Sequence, residues 1–107
     1  MEEQGRGKNY GQVLERLTTL SRSLALALAE KEIRVNSVAP GPIFTSFIPG
    51  TWKADDEKLK KFGTSTLMKR AGQPAEGAAA FVFLASSDSS FMTGNTIHIN
   101  GGQYVSD

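Results

Sequence analysis

Two short runs rich in β-branched residues stand far apart along the chain, and this separation constrains the fold more than any other feature. They are "IRVNSV" at 33–38 and "TIHIN" at 96–100, and both patterns predict strands. Two strands joined through helices favour a right-handed parallel crossover. Parallel sheets usually have more than two strands and are covered on both faces. The sequence therefore predicts an α/β edge of a larger sheet.

Helical patterns occupy most of the remaining chain. Apolar residues recur at spacings of three and four and predict a helix over about 10–31; they are Val13, Leu17, Leu20, Leu24 and Leu28. A short charged helix is predicted within "TWKADDEKLKKF", at 51–62. Pro74 suits a first helical turn, and Glu76 would lie near the positive end of that helix's dipole. Residues 1–8 are rich in glycine and charge and are predicted to be loose, which leaves 9–107 as a single segment.

Composition excludes several classes of partner. The chain has 107 residues, a net charge of +1, 39% hydrophobic residues and no cysteine. The charge balance gives no electrostatic reason to expect nucleic acid or a membrane surface as partner. No apolar run approaches the roughly 18 residues of a membrane span, and "MEEQGRGKNY" has no apolar core of a secretory signal. We therefore expect a cytoplasmic protein with one domain.

The stretch "SVAPGPIFT" at 37–45 is stiff and bent, because two prolines flank Gly41. It lies beyond the carboxyl end of the first predicted strand, where open α/β sheets bind their ligands. The stretch is therefore a candidate binding loop, and the alternative is a stiff exit from the strand with no ligand.

Three segments carry a family resemblance: "RSLALALAEKEIRVNSVAPGPIFTSFIP", "MKRAGQPAEGAAAFVFLASSDSS" and "FMTGNTIHINGG". Over about 20–103 the chain resembles the C-terminal part of a glucose-dehydrogenase-like short-chain dehydrogenase/reductase. The resemblance implies a partial Rossmann-like fold, namely the helix–strand–helix–helix–strand segment of a doubly wound parallel sheet. It also implies NAD or NADP as cofactor and hydride transfer to or from a carbonyl or alcohol.

The same resemblance assigns cofactor-binding roles to the loop after the first strand. Pro40 and Gly41 would shape the turn against the nicotinamide end of the cofactor. Ile43 and Thr45 would offer backbone and hydroxyl partners to its carboxamide and phosphate.

The residues that would hold the diphosphate do not appear in this sequence. A dinucleotide needs a glycine-rich turn between a strand and a helix, where backbone N–H groups approach the phosphates. Gly5-Arg6-Gly7 begins such a pattern, but Tyr10 stands at its third glycine and no predicted strand precedes it. The resemblance therefore implies an incomplete member of the family without its nucleotide-binding half.

The catalytic residues are also incomplete by the family's pattern. Its Tyr-x-x-x-Lys arrangement places the tyrosine at Tyr10 and the lysine at Leu14, and no segment here corresponds to its catalytic serine and asparagine. A phenol has a pKa near 10 and needs a neighbouring cation to act near neutral pH. Leucine cannot supply that charge, so an aromatic residue without catalytic role is the favoured interpretation of Tyr10.

Other candidates have structural interpretations. His98 fits a half-exposed position on the second strand better than a ligand or base, and no cluster supports a metal site. Trp52 could line a substrate entrance, although anchoring the charged helix is favoured. Asn100-Gly101-Gly102 predicts a sharp turn.

Three functions remain open. The first is an incomplete oxidoreductase that is inert as this chain alone. The second is a non-catalytic module that forms a homo-oligomer, or pairs with a full-length relative, through helix 10–31 and the C-terminal helix and strand. The third and least favoured is a free-standing binder of the nicotinamide ring. Leucines worth roughly 1.5–3 kcal/mol each on burial support self-association under either of the first two.

Overall fold

The fold of this chain is a two-stranded parallel sheet with helices before and between its strands. A computed structural model describes residues 2–45 and 56–103, with side chains described from residues 11 and 57 onward in the two ranges. In order, the elements are α1 (Glu2–Leu28), a 3-10 turn (Ala29–Lys31), β1 (Ser37–Pro40), α2 (Asp56–Lys61), α3 (Pro74–Ala85), a 3-10 turn (Ser87–Ser89) and β2 (Thr96–Ile99). The helix–strand–helix–helix–strand order is confirmed.

The two strands pair side by side and in parallel, as the long connection predicts. Ser37 is the partner of Thr96 at one end, and Pro40 is the partner of Ile99 at the other. The Ser37 and Thr96 hydroxyl oxygens lie 2.8 Å apart in a hydrogen bond across the ladder. The sheet therefore places the ends of β1 and β2 next to each other, although they are distant in sequence.

The predicted start of β1 at residue 33 is wrong, since the strand begins at Ser37. The preceding residues bind the turn before β2 instead: the Val35 N–H donates to Thr93 Oγ1 over 3.1 Å, and the Asn36 amide donates to the Met92 carbonyl over 3.0 Å. That turn passes through Gly94 with a φ of +73°. Because the segment before β2 turns there, it offers no strand for residues 33–36 to pair with.

Arg34 joins this region to the end of α3. Its guanidinium donates to the carbonyls of Leu84 and Ser86, at 3.0 and 3.4 Å, and to Ser89 Oγ at 3.1 Å. A helix leaves its last carbonyls without partners, and a cation there also suits the negative end of the dipole. Arg34 thus fixes α3 to the segment that enters β1.

The first helix begins earlier than its periodicity predicts. Residues 2–8, which the sequence predicts to be loose, are helical, because α1 extends from Glu2. The helix continues through both glycines of that segment. The predicted end near residue 31 is confirmed as the end of the 3-10 turn, and Glu32 follows it with a φ of +59°.

Small residues, not leucines, form the buried side of α1. Ser21 and Ala25 are 6% exposed, and Leu14 and Thr18 on the same side are half-buried. The leucine stripe, which we define as Val13, Leu17, Leu20 and Leu24, is 42–62% exposed. The helix therefore packs toward β1 through its small side chains and presents the leucine stripe outward.

The core of the described residues is correspondingly small. Its buried apolar side chains are Ala25 of α1, Ala39 of β1 and Ala80 of α3. Phe81 and Val82 of α3 are 62% and 69% exposed. None of the described helices combines the length and apolar character needed to cross a bilayer.

Candidate functional site

The loop that follows β1 is held on both sides by backbone hydrogen bonds. The Gly41 N–H donates to the Ile99 carbonyl over 2.8 Å, which extends the β1–β2 ladder by one step. Two further bonds of 2.9 Å join the Phe44 N–H to the Gly72 carbonyl and the Gly72 N–H to the Pro42 carbonyl. The loop thus forms a second short parallel pairing, between Ile43 and Gly72, at the carboxyl end of the sheet.

Gly41 is needed where it stands because the backbone of Asn100 passes too close for a side chain. A Cβ at residue 41 would lie 2.7 Å from Asn100 Cα. Beyond Asn100 the chain turns sharply through Gly101 and Gly102, with φ values of +61° and +87°, as predicted. The Asn100 side-chain oxygen accepts from the Gly102 N–H over 3.0 Å and so stabilises this turn.

The side chain of Ile43 is anchored against Gly72, and the backbone N–H and C=O of Ile43 face away from Gly72. A Cβ at Gly72 would lie 2.8 Å from Ile43 Cδ1, so the Ile43 side chain fills the space beside this glycine. In a parallel pairing the residue opposite a doubly bonded partner directs its own N–H and C=O to the other side of the strand. Within the described part of the chain, no hydrogen bond involves the N–H or C=O of Ile43. These two groups form a donor–acceptor pair that a ligand could use.

The structure brings the four predicted cofactor-binding residues into one strip along the loop. Pro40 is the exposed last residue of β1, Gly41 continues the ladder, and Ile43 is clamped to Gly72. Thr45 is half-buried at the end of the described segment.

A cavity of about 110 Å³ lies behind the loop. Its lining comes from the loop, from β2 and its turn, from the segment before α3 and from the first turn of α3: Pro42, Ile43, Thr66, Met68, Arg70, Gly72, Glu76, Ile99, Asn100 and Gly101. Pockets for cofactors and drug-sized ligands are usually about 300–1,000 Å³. This cavity is too small for a dinucleotide, and an ion pair forms part of its lining.

That ion pair joins Arg70 and Glu76 in a two-bond fork. Arg70 Nη2 lies 2.7 Å from Glu76 Oε1, and Nη1 lies 2.9 Å from Oε2. The Gln73 N–H donates to Glu76 Oε2 over 2.6 Å and completes a capping box at the start of α3. The pKa of Glu76 is lowered from 4.5 to about 2, mainly by the hydrogen bonds from Arg70 and next by the bond from the Gln73 N–H. The side chains of Arg70 and Glu76 are both about half exposed.

Sequence reasoning placed Glu76 near the helix dipole but did not identify Arg70 as its partner. The spacing of three between Gln73 and Glu76 could have indicated the capping box. Sequence reasoning also did not identify Thr66, which is 1% exposed and donates to the Gly63 carbonyl over 2.9 Å. No local pattern signals Thr66, because its burial arises from the packing of Gly101 against it.

The proposed catalytic position Tyr10 lies on α1, one helical turn before Leu14. The Tyr10 side chain is outside the described part of the structure, so the predictions about its hydroxyl remain predictions. Leu14 is half-buried on the sheet-facing side, and its carbonyl accepts from the Thr18 hydroxyl over 2.9 Å. This position therefore carries an apolar side chain where a cation would be needed to activate a phenol.

The remaining candidates are peripheral. His98 is an exposed residue of β2, paired with Ala39. Among residues 2–45 and 56–103, no group of three or more His, Cys, Asp or Glu side chains could hold a metal ion. Trp52 lies outside the described residues, and of the predicted helix 51–62 the structure describes Asp56–Lys61 as helical.

Comparison with known proteins places this loop in a family context. The family model described as Enoyl-(Acyl carrier protein) reductase matches residues 4–103. A glucose and ribitol dehydrogenase homolog of Oryza sativa is 53% identical over 89 residues, which are 83% of this chain and 29% of that protein. An NADPH-dependent aldehyde reductase of Arabidopsis thaliana is 53% identical over 90 residues, 83% of this chain and 31% of that protein.

Solved structures give the same grouping. The crystal structure of a short-chain dehydrogenase family protein from Francisella tularensis superposes with a TM-score of 0.77 at 34% identity. The match covers 85% of this chain and 41% of that one. The chain thus spans 29–31% of the length of the two curated relatives.

Proposed function

Because the chain belongs to the short-chain dehydrogenase/reductase family, we propose that it supplies the nicotinamide-facing wall of an NAD(P)-dependent oxidoreductase. When bound, the nicotinamide cofactor donates or accepts the hydride that interconverts a carbonyl and an alcohol. The proposed role of the present chain is to hold and orient the ring end of the cofactor. Catalysis would require groups from outside these residues, so the chain alone is inert.

The observation that carries this proposal is the unbonded backbone of Ile43. A carboxamide presents one acceptor oxygen and one donor nitrogen, and Ile43 presents a donor N–H and an acceptor C=O on one edge of the loop. The loop is fixed by Gly41 and Gly72, so this edge is already ordered before a ligand arrives. Preorganised groups lose less entropy on binding than mobile ones.

The described residues do not fit the diphosphate. Gly5 and Gly7, the glycines that resemble part of a binding fingerprint, lie inside α1 rather than in a turn between a strand and a helix. Their backbone N–H groups therefore belong to the helix ladder and cannot cradle a phosphate. A ring wall without a phosphate cradle is expected to have very weak affinity for a whole dinucleotide.

The ring-wall proposal can be tested with a probe that carries only the ring end of the cofactor. Nicotinamide mononucleotide would be titrated into the isotope-labelled chain while backbone amide resonances are followed. We expect small, concentration-dependent shifts centred on Ile43 and Thr45, with AMP as the matched control that lacks the ring and moves neither. Equal shifts with AMP, or shifts confined to residues away from the loop, would contradict the proposal.

A second candidate function, a non-catalytic oligomerisation module, is favoured by the exposed apolar surface. The chain exposes 8171 Å², whereas a compact monomer of 11.5 kDa exposes about 5,800 Å². Its radius of gyration is 16.1 Å, compared with about 13 Å for a compact chain of this length. The leucine stripe of α1 and the exposed Phe81 and Val82 of α3 would then be contact surfaces with a second copy or a full-length relative.

A further inference from the structure

We propose that Arg70 and Glu76 form a remote positioning pair that holds the cofactor-facing edge of Ile43 in place. The idea rests on the proposed function, since it assigns to Ile43 the contact with the ring. Neither residue would touch the cofactor. Their effect would pass through Gly72, which lies between them in sequence and is bonded to the loop.

The Glu76 carboxylate holds both ends of the segment 70–73. Glu76 accepts two hydrogen bonds from the Arg70 guanidinium and a third from the Gln73 N–H. The same guanidinium donates to the Ala71 carbonyl over 3.1 Å, so it also closes on its own backbone. Charge-assisted bonds with this two-bond geometry fix orientation as well as distance.

The backbone of Arg70 is held on the side opposite the ion pair. The Arg70 N–H donates to Thr66 Oγ1 over 3.4 Å, and the Arg70 carbonyl lies 3.2 Å from the same oxygen, whose single proton is shared between this carbonyl and that of Gly63. Thr66 is buried beneath Gly101, so this contact connects the segment to the turn after β2. Segment 70–73 is therefore held between a buried hydroxyl and a surface ion pair.

Gly72 connects the fixed segment 70–73 to the loop. Its N–H and its C=O both bond to the loop, at Pro42 and Phe44, and its missing side chain makes the space that Ile43 fills. The other end of the loop depends on different contacts, because the Gly41 N–H bonds to Ile99 of β2. Weakening the Arg70–Glu76 fork should therefore loosen the Ile43–Gly72 pairing and leave the β1–β2 ladder intact.

Site-resolved amide hydrogen exchange on the full chain tests this without any cofactor. The variants are Glu76→Gln, which keeps an acceptor for the Gln73 N–H but loses the charge, and Arg70→Lys, which keeps the charge but loses the fork. We expect both to speed exchange at the Phe44 and Gly72 amides by roughly threefold to tenfold. The Ser37 and Gly41 amides, which bond within the ladder, should change by less than about twofold. Glu30→Gln, which removes an exposed acid from the 3-10 turn after α1, is the matched control.

Two results would overturn the proposal. One is unchanged exchange at Phe44 and Gly72 in both variants. The other is acceleration by one common factor at all four amides, which would mean that the pair contributes only to global stability. Because no ligand is present, this outcome is independent of the titration with nicotinamide mononucleotide, and either proposal can fail without the other.

Discussion

Gly41 and Asn100 approach each other so closely that a Cβ at residue 41 would lie 2.7 Å from Asn100 Cα and 2.8 Å from Asn100 Cβ. This contact joins the start of the candidate loop to the end of β2, and it leaves no room for any residue but glycine. We therefore predict that Gly41→Ala destabilises the chain by about 1–3 kcal/mol, the usual effect of overpacking. Urea unfolding followed by far-UV circular dichroism measures this difference.

Gly11→Ala is the matched control for this prediction. Gly11 is exposed within α1, and nothing lies within 4 Å of a Cβ placed there. Alanine is a better helix former, so this substitution should stabilise the chain by about 0.5–1 kcal/mol. Opposite signs for the two glycines are expected, and a Gly41→Ala variant as stable as the unsubstituted chain would show that the loop can move away from Asn100.

The ionisation of Glu76 should make the loop region sensitive to acid. Its pKa falls from 4.5 to about 2 in the folded chain, chiefly because of the bonds from Arg70. A carboxylate with a lowered folded pKa contributes stability that is present above the unfolded value and is lost as pH falls through the folded one. We expect the urea midpoint to decrease between pH 4.5 and pH 2, and Glu76→Gln to make this decrease shallower.

Asp88→Asn controls for acid titration in general, since it removes a different exposed carboxylate near the end of α3. It should leave the pH dependence steeper than that of Glu76→Gln. If the Glu76→Gln and unsubstituted chains lose stability in parallel through this pH range, the Arg70–Glu76 fork does not form in solution.

The leucine stripe of α1 is the part of the surface best placed to mediate self-association. Leu17 and Leu24 are each 42% exposed and flank the buried side of the helix. The double variant Leu17→Glu with Leu24→Glu should convert an oligomer into a monomer, because a buried unpaired carboxylate is strongly unfavourable in an interface. Light scattering at micromolar concentration, combined with circular dichroism to verify folding, measures the change.

The double variant Thr19→Glu with Ser23→Glu adds the same two charges at other exposed positions of α1 and should leave the oligomer intact. A well-folded monomer in the unsubstituted chain would count against the oligomerisation module. An unchanged mass in the double leucine variant would move the contact to another surface, such as the exposed side of α3.

Leu14 allows a direct test of whether one residue limits activity. The family's pattern has a lysine at this position, and Leu14→Lys would restore the cation one turn from Tyr10. We expect no reduction of any carbonyl by NADH or NADPH in either form, because the other catalytic groups and the phosphate cradle would still be missing. Absorbance at the wavelength of the reduced nicotinamide measures turnover, and detectable turnover by the Leu14→Lys variant would contradict this.

Local chemistry was sufficient to predict much of the fold. Pro74 and Glu76 correctly marked the start of α3, and the alternation around Ile97 correctly marked β2. The parallel pairing followed from the helices that connect the two strands. These features depend on residues close in sequence or on a general rule of chain topology, so one sequence carries enough information.

Features set by contacts between distant segments could not be predicted in the same way. The strand β1 starts at Ser37 because its neighbour turns at Gly94, and the buried side of α1 is chosen by the sheet that it meets rather than by its leucines. The Arg34 bonds to the end of α3 span about fifty residues and leave no periodic signal. For the candidate loop, the family resemblance identified the residues, while the clamp by Gly72 became visible only in three dimensions.

The central claim is that this chain offers a wall for the nicotinamide ring but no cradle for the diphosphate, and dinucleotide binding tests it most directly. NADH and NADPH would be titrated separately into the purified 107-residue chain, with nicotinamide fluorescence and calorimetry as readouts. We predict no saturable binding of either dinucleotide in the submillimolar range. Saturable submillimolar binding of one whole dinucleotide per chain would contradict the account.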